Sequence, residues 1–227
     1  MTPAARIAAV IEILSDAPEG VPAGSVLRRG LQQRRYAGSG DRHAISALFW
    51  TIQRAAARLA WHLDRQGHEV TSRALVIVAL RLADGVDAAM LASRFGGEDK
   101  HAAPALTETE QALLVALDGS LLDDPAMALA TRLEWPEDLL ADASAALGEA
   151  AEDELAAMRG EAGTDIRINP LKLDGRRRLR DRLAGRGLKC HPTRISPLGI
   201  RMEKRVRVED SPEFLSLIHI SEPTRPY

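Results

Sequence analysis

Residues 71–82 read TSRALVIVALRL, and this run decides the class of the fold. Ala74, Leu75, Val76, Ile77, Val78, Ala79, Leu80 and Leu82 make it apolar almost all round. A surface helix is apolar on one stripe only, so this segment reads as a buried central helix. It is too short for a bilayer, which takes about 20 apolar residues. Working outward, the flanking segments supply what would bury it. Upstream, Ile7, Val10, Ile11 and Leu14 fall at helical spacing within Pro3 to Asp16, with Pro3 suited to a first turn. Val26, Leu27 and Leu31 mark a short helix that leaves Arg28, Arg29, Arg34 and Arg35 largely exposed. After the break at Gly38-Ser39-Gly40-Asp41, the stripe of Ile45, Leu48, Phe49, Ile52, Leu59 and Leu63 predicts one long helix from Arg42 to Arg65.

Downstream, Val86 to Phe95, Thr107 to Leu117 and Ala126 to Leu133 read as helices, the second opening on a capping pattern, Thr107-Glu108-Thr109-Glu110. Pro136 to Arg159 reads as a single acidic, alanine-rich helix with proline in its first turn. The pattern then changes. Asp165-Ile166-Arg167-Ile168-Asn169 alternates as a strand does, Leu173 to Arg186 is a basic helix, and Leu188 to Ile195 and Leu198 to Met202 predict two more strands. The expected architecture is mainly α, an all-α bundle followed by a small α/β piece.

The chain has 227 residues, 45% hydrophobic and 27% charged, which fits a globular protein and excludes wholesale disorder. No apolar run of membrane-spanning length and no secretory signal stand out, so no membrane partner is expected and the expected location is the cytoplasm. A single cysteine, Cys190, builds neither an internal disulfide nor a cysteine-rich zinc site. The six histidines include no metal-binding i, i+4 pair around a glutamate, and Trp50, Trp61 and Trp135 are too scattered for a base-stacking row. The net charge of −2 conceals an asymmetry. Residues 166–207 hold 14 Lys and Arg against Asp174, Asp181 and Glu203, whereas residues 101–165 hold 15 acids against Arg132 and Arg159. A basic block after an acidic one points to a polyanion partner. Guanidinium groups suit phosphate, because the planar fork bonds two oxygens at once. The candidate clusters are Arg28, Arg29, Arg34, Arg35 and Arg42 in the first domain and Arg176, Arg177 and Arg178 in the second. Arg177 and Asp181 stand at i, i+4, so part of this helix also reads as a salt-bridged surface.

Two segments resemble the RsmB/NOP/Sun family of ribosomal RNA cytosine-5 methyltransferases. The stretch from Arg34 through Asp41-Arg42 to Ile45 is similar to part of that family's NusB-like domain, and Arg54 and Arg58 on the next helix fit it. Asp165-Ile166-Arg167-Ile168-Asn169-Pro170-Leu171-Lys172 is similar to the family's L-R-V-N-T-L-K strand, with Pro170 in place of the usual Thr. The order of the later segments, through Ser196-Pro197-Leu198-Gly199-Ile200-Arg201, also matches, so the resemblance spans nearly all of residues 1–214. It implies methyl transfer from S-adenosylmethionine to cytosine C5 in 16S rRNA, by a cysteine thiolate attacking the base. It also implies RNA contact by Arg54, Arg167, Asn169 and Lys172, although asparagine equally serves turns. The family's glycine-rich cofactor loop and its cysteine motifs are missing, and Cys190 lacks the surroundings of a nucleophile.

The expectation is therefore a NusB-like helical bundle over residues 1–133, a linker helix over 134–163, and a truncated, RRM-like RNA-binding subdomain over 164–214. It would bind 16S rRNA or another structured RNA, with no catalytic residue and no cofactor of its own, S-adenosylmethionine belonging to the full-length parent. A stand-alone NusB-like RNA-binding or antitermination factor is the alternative. Residues 215–227 match the forward translation of a transposase adapter used in sequencing libraries, so they are expected to lie outside the native fold.

Overall fold

The computed structural model describes residues 1–96, 100–204, 211–216 and 218–220. The chain forms two compact units, Met1–Gly160 and Glu161–Tyr227. The first is helical throughout and the second is a small α/β sheet unit. Among the described residues, no helix is long and apolar enough to cross a membrane.

In the first unit, α1 (Pro3–Ser15), α3 (Ser39–Gln53) and α4 (Ala56–Arg65) pack against α5 (Ser72–Val78), and α2 (Ala23–Gln33) packs on α1 and α3. Thr2 and Thr71 cap α1 and α5, accepting from Ala5 N and Ala74 N at 3.1 Å each. Such caps satisfy amide groups that a helix start leaves orphaned. The apolar run at 71–82 is the centre, as expected: Val76, Ile77, Val78 and Ala79 have no exposed surface. Burying a side chain of this size stabilises by roughly 1.5–3 kcal/mol, so this run anchors the bundle. Its end widens into a π turn, Ala79–Ala83. Then come α6 (Ala88–Ser93), α7 (Glu108–Ala116) with its Thr107–Glu110 capping box, and α8 (Leu129–Leu133).

Two expected continuous helices are broken. Between α3 and α4, Ala55 leaves helical geometry at φ −128°, ψ 18°. The amides freed there are taken up by Glu134, whose carboxylate accepts from Ala57 N and Arg58 N at 2.9 Å each. The predicted linker helix is also two helices, α9 (Glu137–Leu147) and α10 (Ala151–Met158), split where Gly148 adopts φ 61°, a region that favours glycine. These helices belong to the first unit and do not connect two domains as a free linker. Leu155 is buried, and Arg159 donates to both Asp123 carboxylate oxygens at 3.1 Å and to the Arg132 carbonyl at 2.7 Å. Arg58 joins the same cluster, bonding Asp123 at 2.5 Å and Glu134 at 2.9 Å.

The second unit is a four-stranded antiparallel sheet, β1 (Asp165–Ile168), β2 (Cys190–Pro192), β3 (Gly199–Met202) and β4 (His219–Ile220), in the order β2-β3-β1-β4. One helix, α11 (Arg176–Gly185), covers one face, and a short helix, α12 (Pro212–Leu215), precedes β4. The core joins Leu179 and Leu183 of α11 to Ile166, Ile168, Ile200 and Met202 of the sheet. Here the structure departs from the expectation for the terminal segment. Ile218 to Ile220 pair beside β1, with Asn169 N donating to the Ile218 carbonyl at 2.8 Å. Edge pairing uses backbone groups alone, so a strand edge accepts segments of very different sequence. Of the rest of that segment, 217 and 221–227 lie outside the described residues.

Candidate nucleic-acid interface

The first-unit arginines divide sharply. Arg34, expected at the surface, is 8% exposed; it ion-pairs with Glu12 and donates to the Gly30 carbonyl at 2.9 Å. Arg42 is half-buried and donates to the carbonyls of Ala37 at 2.9 Å and Arg34 at 3.2 Å. Its neighbour Asp41 receives Arg6 Nε at 2.8 Å and the N-terminal amine at 3.2 Å. The Arg6 hydrogen bond in particular holds the Asp41 carboxyl below the usual range. The Arg34 to Arg42 segment therefore stitches the α2–α3 turn, and Arg34 and Arg42 are withdrawn from the exposed cluster. Arg54 is half-buried at the end of α3, where its carbonyl accepts from Arg58. Arg28, Arg29 and Arg35 remain at the surface, Arg29 reaching the Asp16 carbonyl at 3.2 Å.

The second-unit candidates fall on two opposite faces. Arg177 and Arg178 are exposed on α11, whose inner side is fixed by Leu179 and Leu183, and Lys172 is exposed in the preceding turn. Arg177 does not pair with Asp181; Arg180 does, at 2.8 Å. Arg176 turns the other way and donates to the Ser196 carbonyl at 3.0 Å, which fixes the β2–β3 loop. Asn169 shapes the turn after β1: its side-chain oxygen accepts from Leu171 N at 3.1 Å. Arg167 stands on the open face of the sheet. Strand register puts Asp165, Arg167, His191, Gly199 and Arg201 on that face, through the pairs Asp165↔Arg201, Arg167↔Gly199 and His191↔Arg201.

This face floors a cleft of about 790 Å³ whose rim is the β2–β3 loop with Arg194 and Ile195. Arg201 grips Asp165 with two bonds of 2.7 Å each, which hold the Asp165 carboxyl below its usual range. Gly199 leaves the floor beside Arg167 without a side chain, and a Cβ there would lie 2.2 Å from Thr193 Oγ1. The first unit has a cleft of similar volume between α1 and the segment from Lys100 to Thr107. Its arginine, Arg73, is already bound to Glu110 at 2.6 Å and 3.0 Å.

The fold is similar to that of PH0851. That crystal structure aligns with 98% of this chain at a TM-score of 0.56 and 16% sequence identity. This chain spans 53% of the length of that one. No family model and no curated protein matches the sequence. At this identity the likeness is one of fold, and function has to be argued from the residues.

Those residues do not fit S-adenosylmethionine. Neighbouring strands of the described sheet pair antiparallel, and its strand–loop–helix crossover, from β1 through α11 to β2, carries Gly175 alone in its loop rather than the glycine-rich turn that cradles a cofactor. Gly199, which could have offered a cradle, is filled by Thr193. Burial pushes the Cys190 thiol up, away from the thiolate that nucleophilic attack needs. Sequence reading missed Arg201, Arg194 and His191. The alternation of Gly199-Ile200-Arg201-Met202 was a signal for Arg201, but its partner Asp165 is set only by strand register.

Proposed function

We propose that this chain is the rRNA-recognition part of an S-adenosylmethionine-dependent 16S rRNA cytosine-5 methyltransferase, binding substrate and leaving the methyl transfer to a catalytic half. Cofactor and nucleophile belong to that half, in keeping with the poor fit here. The reading is supported by the two sequence segments that resemble the family. The observation that carries RNA recognition is the exposure of Arg167, Lys172, Arg177, Arg178 and Arg194 on a unit whose Lys and Arg outnumber its Asp and Glu by 15 to 9. Such cations make phosphate contacts that displace counterions, so binding weakens steeply with salt. Arg28, Arg29 and Arg35 are a second, smaller set on the first unit.

The test is anisotropy of labelled 16S rRNA hairpins titrated with the full chain between about 50 and 200 mM salt. The expected result is saturable binding whose logarithm falls linearly with the logarithm of salt. Binding that ignores salt, or none at the lowest salt, overturns the proposal. Preference for transcript-leader RNA over 16S rRNA replaces it with a stand-alone NusB-like antitermination factor.

A further inference from the structure

The open sheet face differs in kind from the α11 surface. It is concave, its volume of about 790 Å³ lies in the range of roughly 300–1,000 Å³ that holds ligand-sized groups, and it presents planar side chains. Arg201 and His191 are cross-strand partners, so an imidazole and a guanidinium stand side by side, both exposed. Asp165 holds the Arg201 guanidinium by its edge with two 2.7 Å bonds. That pairing neutralises the charge and fixes the plane, leaving a flat π surface free. Beside it, Arg167 is exposed, and Thr193 of the β2–β3 loop covers its cross-strand partner Gly199. The rim is pre-set: Thr193 Oγ1 donates to the Ser196 carbonyl at 3.0 Å, Arg176 donates to the same carbonyl at 3.0 Å, and Ile195 between them is 98% exposed.

We propose that this cleft binds a short unpaired segment of RNA, with a base stacked on the Arg201–His191 platform and the flanking phosphate on Arg167. The inference rests on the RNA-recognition reading and adds the class of RNA and the mode of contact. Single-stranded bases can splay onto aromatic, histidine or guanidinium planes, whereas a duplex hides its base faces and offers only a convex phosphate surface. A clamped arginine can take the part of the aromatic residues that sheet faces use for stacking.

The experiment uses the full chain and labelled RNA octamers of U or A, with a blunt RNA duplex as the second probe. The octamers are expected to bind. Arg201→Lys keeps a cation opposite Asp165 but removes the plane, so it weakens octamer binding by about tenfold with an unchanged salt slope. Arg167→Ala reduces the slope by roughly one phosphate contact, about 0.7 for a single strand. Should Arg201→Lys fail to fold, two further readouts decide the matter. His191→Ala should weaken binding, and the wild-type Arg201 Nε–H resonance should shift on octamer addition. Equal octamer affinity for wild type and Arg201→Lys, or an unmoved resonance, overturns the inference. So does binding of the duplex or of folded 16S hairpins without the octamers, which leaves the broader RNA reading standing. Failure to bind any RNA removes that reading as well.

Discussion

Arginine does opposite work in the two units. In the first, Arg6, Arg34, Arg58, Arg73, Arg81, Arg132 and Arg159 each hold a carboxylate, and several also bond backbone carbonyls. In the second, Lys and Arg outnumber Asp and Glu by 15 to 9; Arg180, Arg186 and Arg201 are paired, while Arg167, Arg177, Arg178 and Arg194 stand exposed. The difference teaches that a count of basic residues locates neither a core nor a binding surface. What decides is whether the fold brings an acid to each cation. Exposed single pairs contribute little, but a buried arginine with several partners is costly to disturb.

Arg58→Ala should give the largest effect. Its side chain is 9% exposed, and its loss leaves Glu134, 13% exposed, without its guanidinium. Destabilisation by about 3 kcal/mol or more is expected in denaturant titrations of the first unit. A loss below about 1 kcal/mol would place Arg58 with the ordinary surface pairs.

Gly199→Ala comes next and acts on the second unit. The new Cβ would meet Thr193 Oγ1 at 2.2 Å, so the β2–β3 loop must shift. Overpacking of this kind costs about 1–3 kcal/mol, read as earlier melting of the sheet. Unchanged melting would show that the loop is looser than its bonds suggest.

A smaller effect comes from acid. Burial lowers the His62 pKa below its ordinary 6.5, although the Leu122 carbonyl lies 3.4 Å from its ring. The unfolded chain then binds a proton that the folded one does not, so stability falls as pH drops below about 6.5. Burial pushes the Asp123 carboxyl up, but Arg58 and Arg159 outweigh it and hold the group below 3.8. Its stabilisation is present above that value and is lost as pH falls through the folded pKa. Melting temperature against pH should therefore decline in two stages, the first removed in His62→Gln. A flat profile between pH 7 and 5 contradicts the buried imidazole.

The fold class was legible because it rests on local pattern. The apolar run at 71–82 and the alternation after Thr164 need no knowledge of distant residues. What was illegible depends on long-range partners. The break after Arg54 is completed by Glu134, and the placement of α9 and α10 depends on Arg159 meeting Asp123. Arg34 and Arg42 look like solvated cations in sequence because Glu12 and the carbonyls that hold them are brought there only by folding. His62 is another such case, since only the packing of α4 turns it inward, at 3% exposure. For the candidate site, the basic character of the second unit was readable. Its division into a helix surface and a sheet cleft was not, since strand register alone sets His191 and Arg201 beside Asp165.

The most direct test of the central claim compares the salt dependence of 16S rRNA hairpin binding in wild type and in the triple variant Lys172→Ala, Arg177→Ala, Arg178→Ala. All three side chains are exposed, so folding should be unaffected. RNA recognition by this surface predicts weaker binding and a salt slope smaller by about two to three, near 0.7–0.9 for each phosphate no longer neutralised. An unchanged slope and affinity would contradict it, and the exposed charge of the second unit would then be a solvated surface.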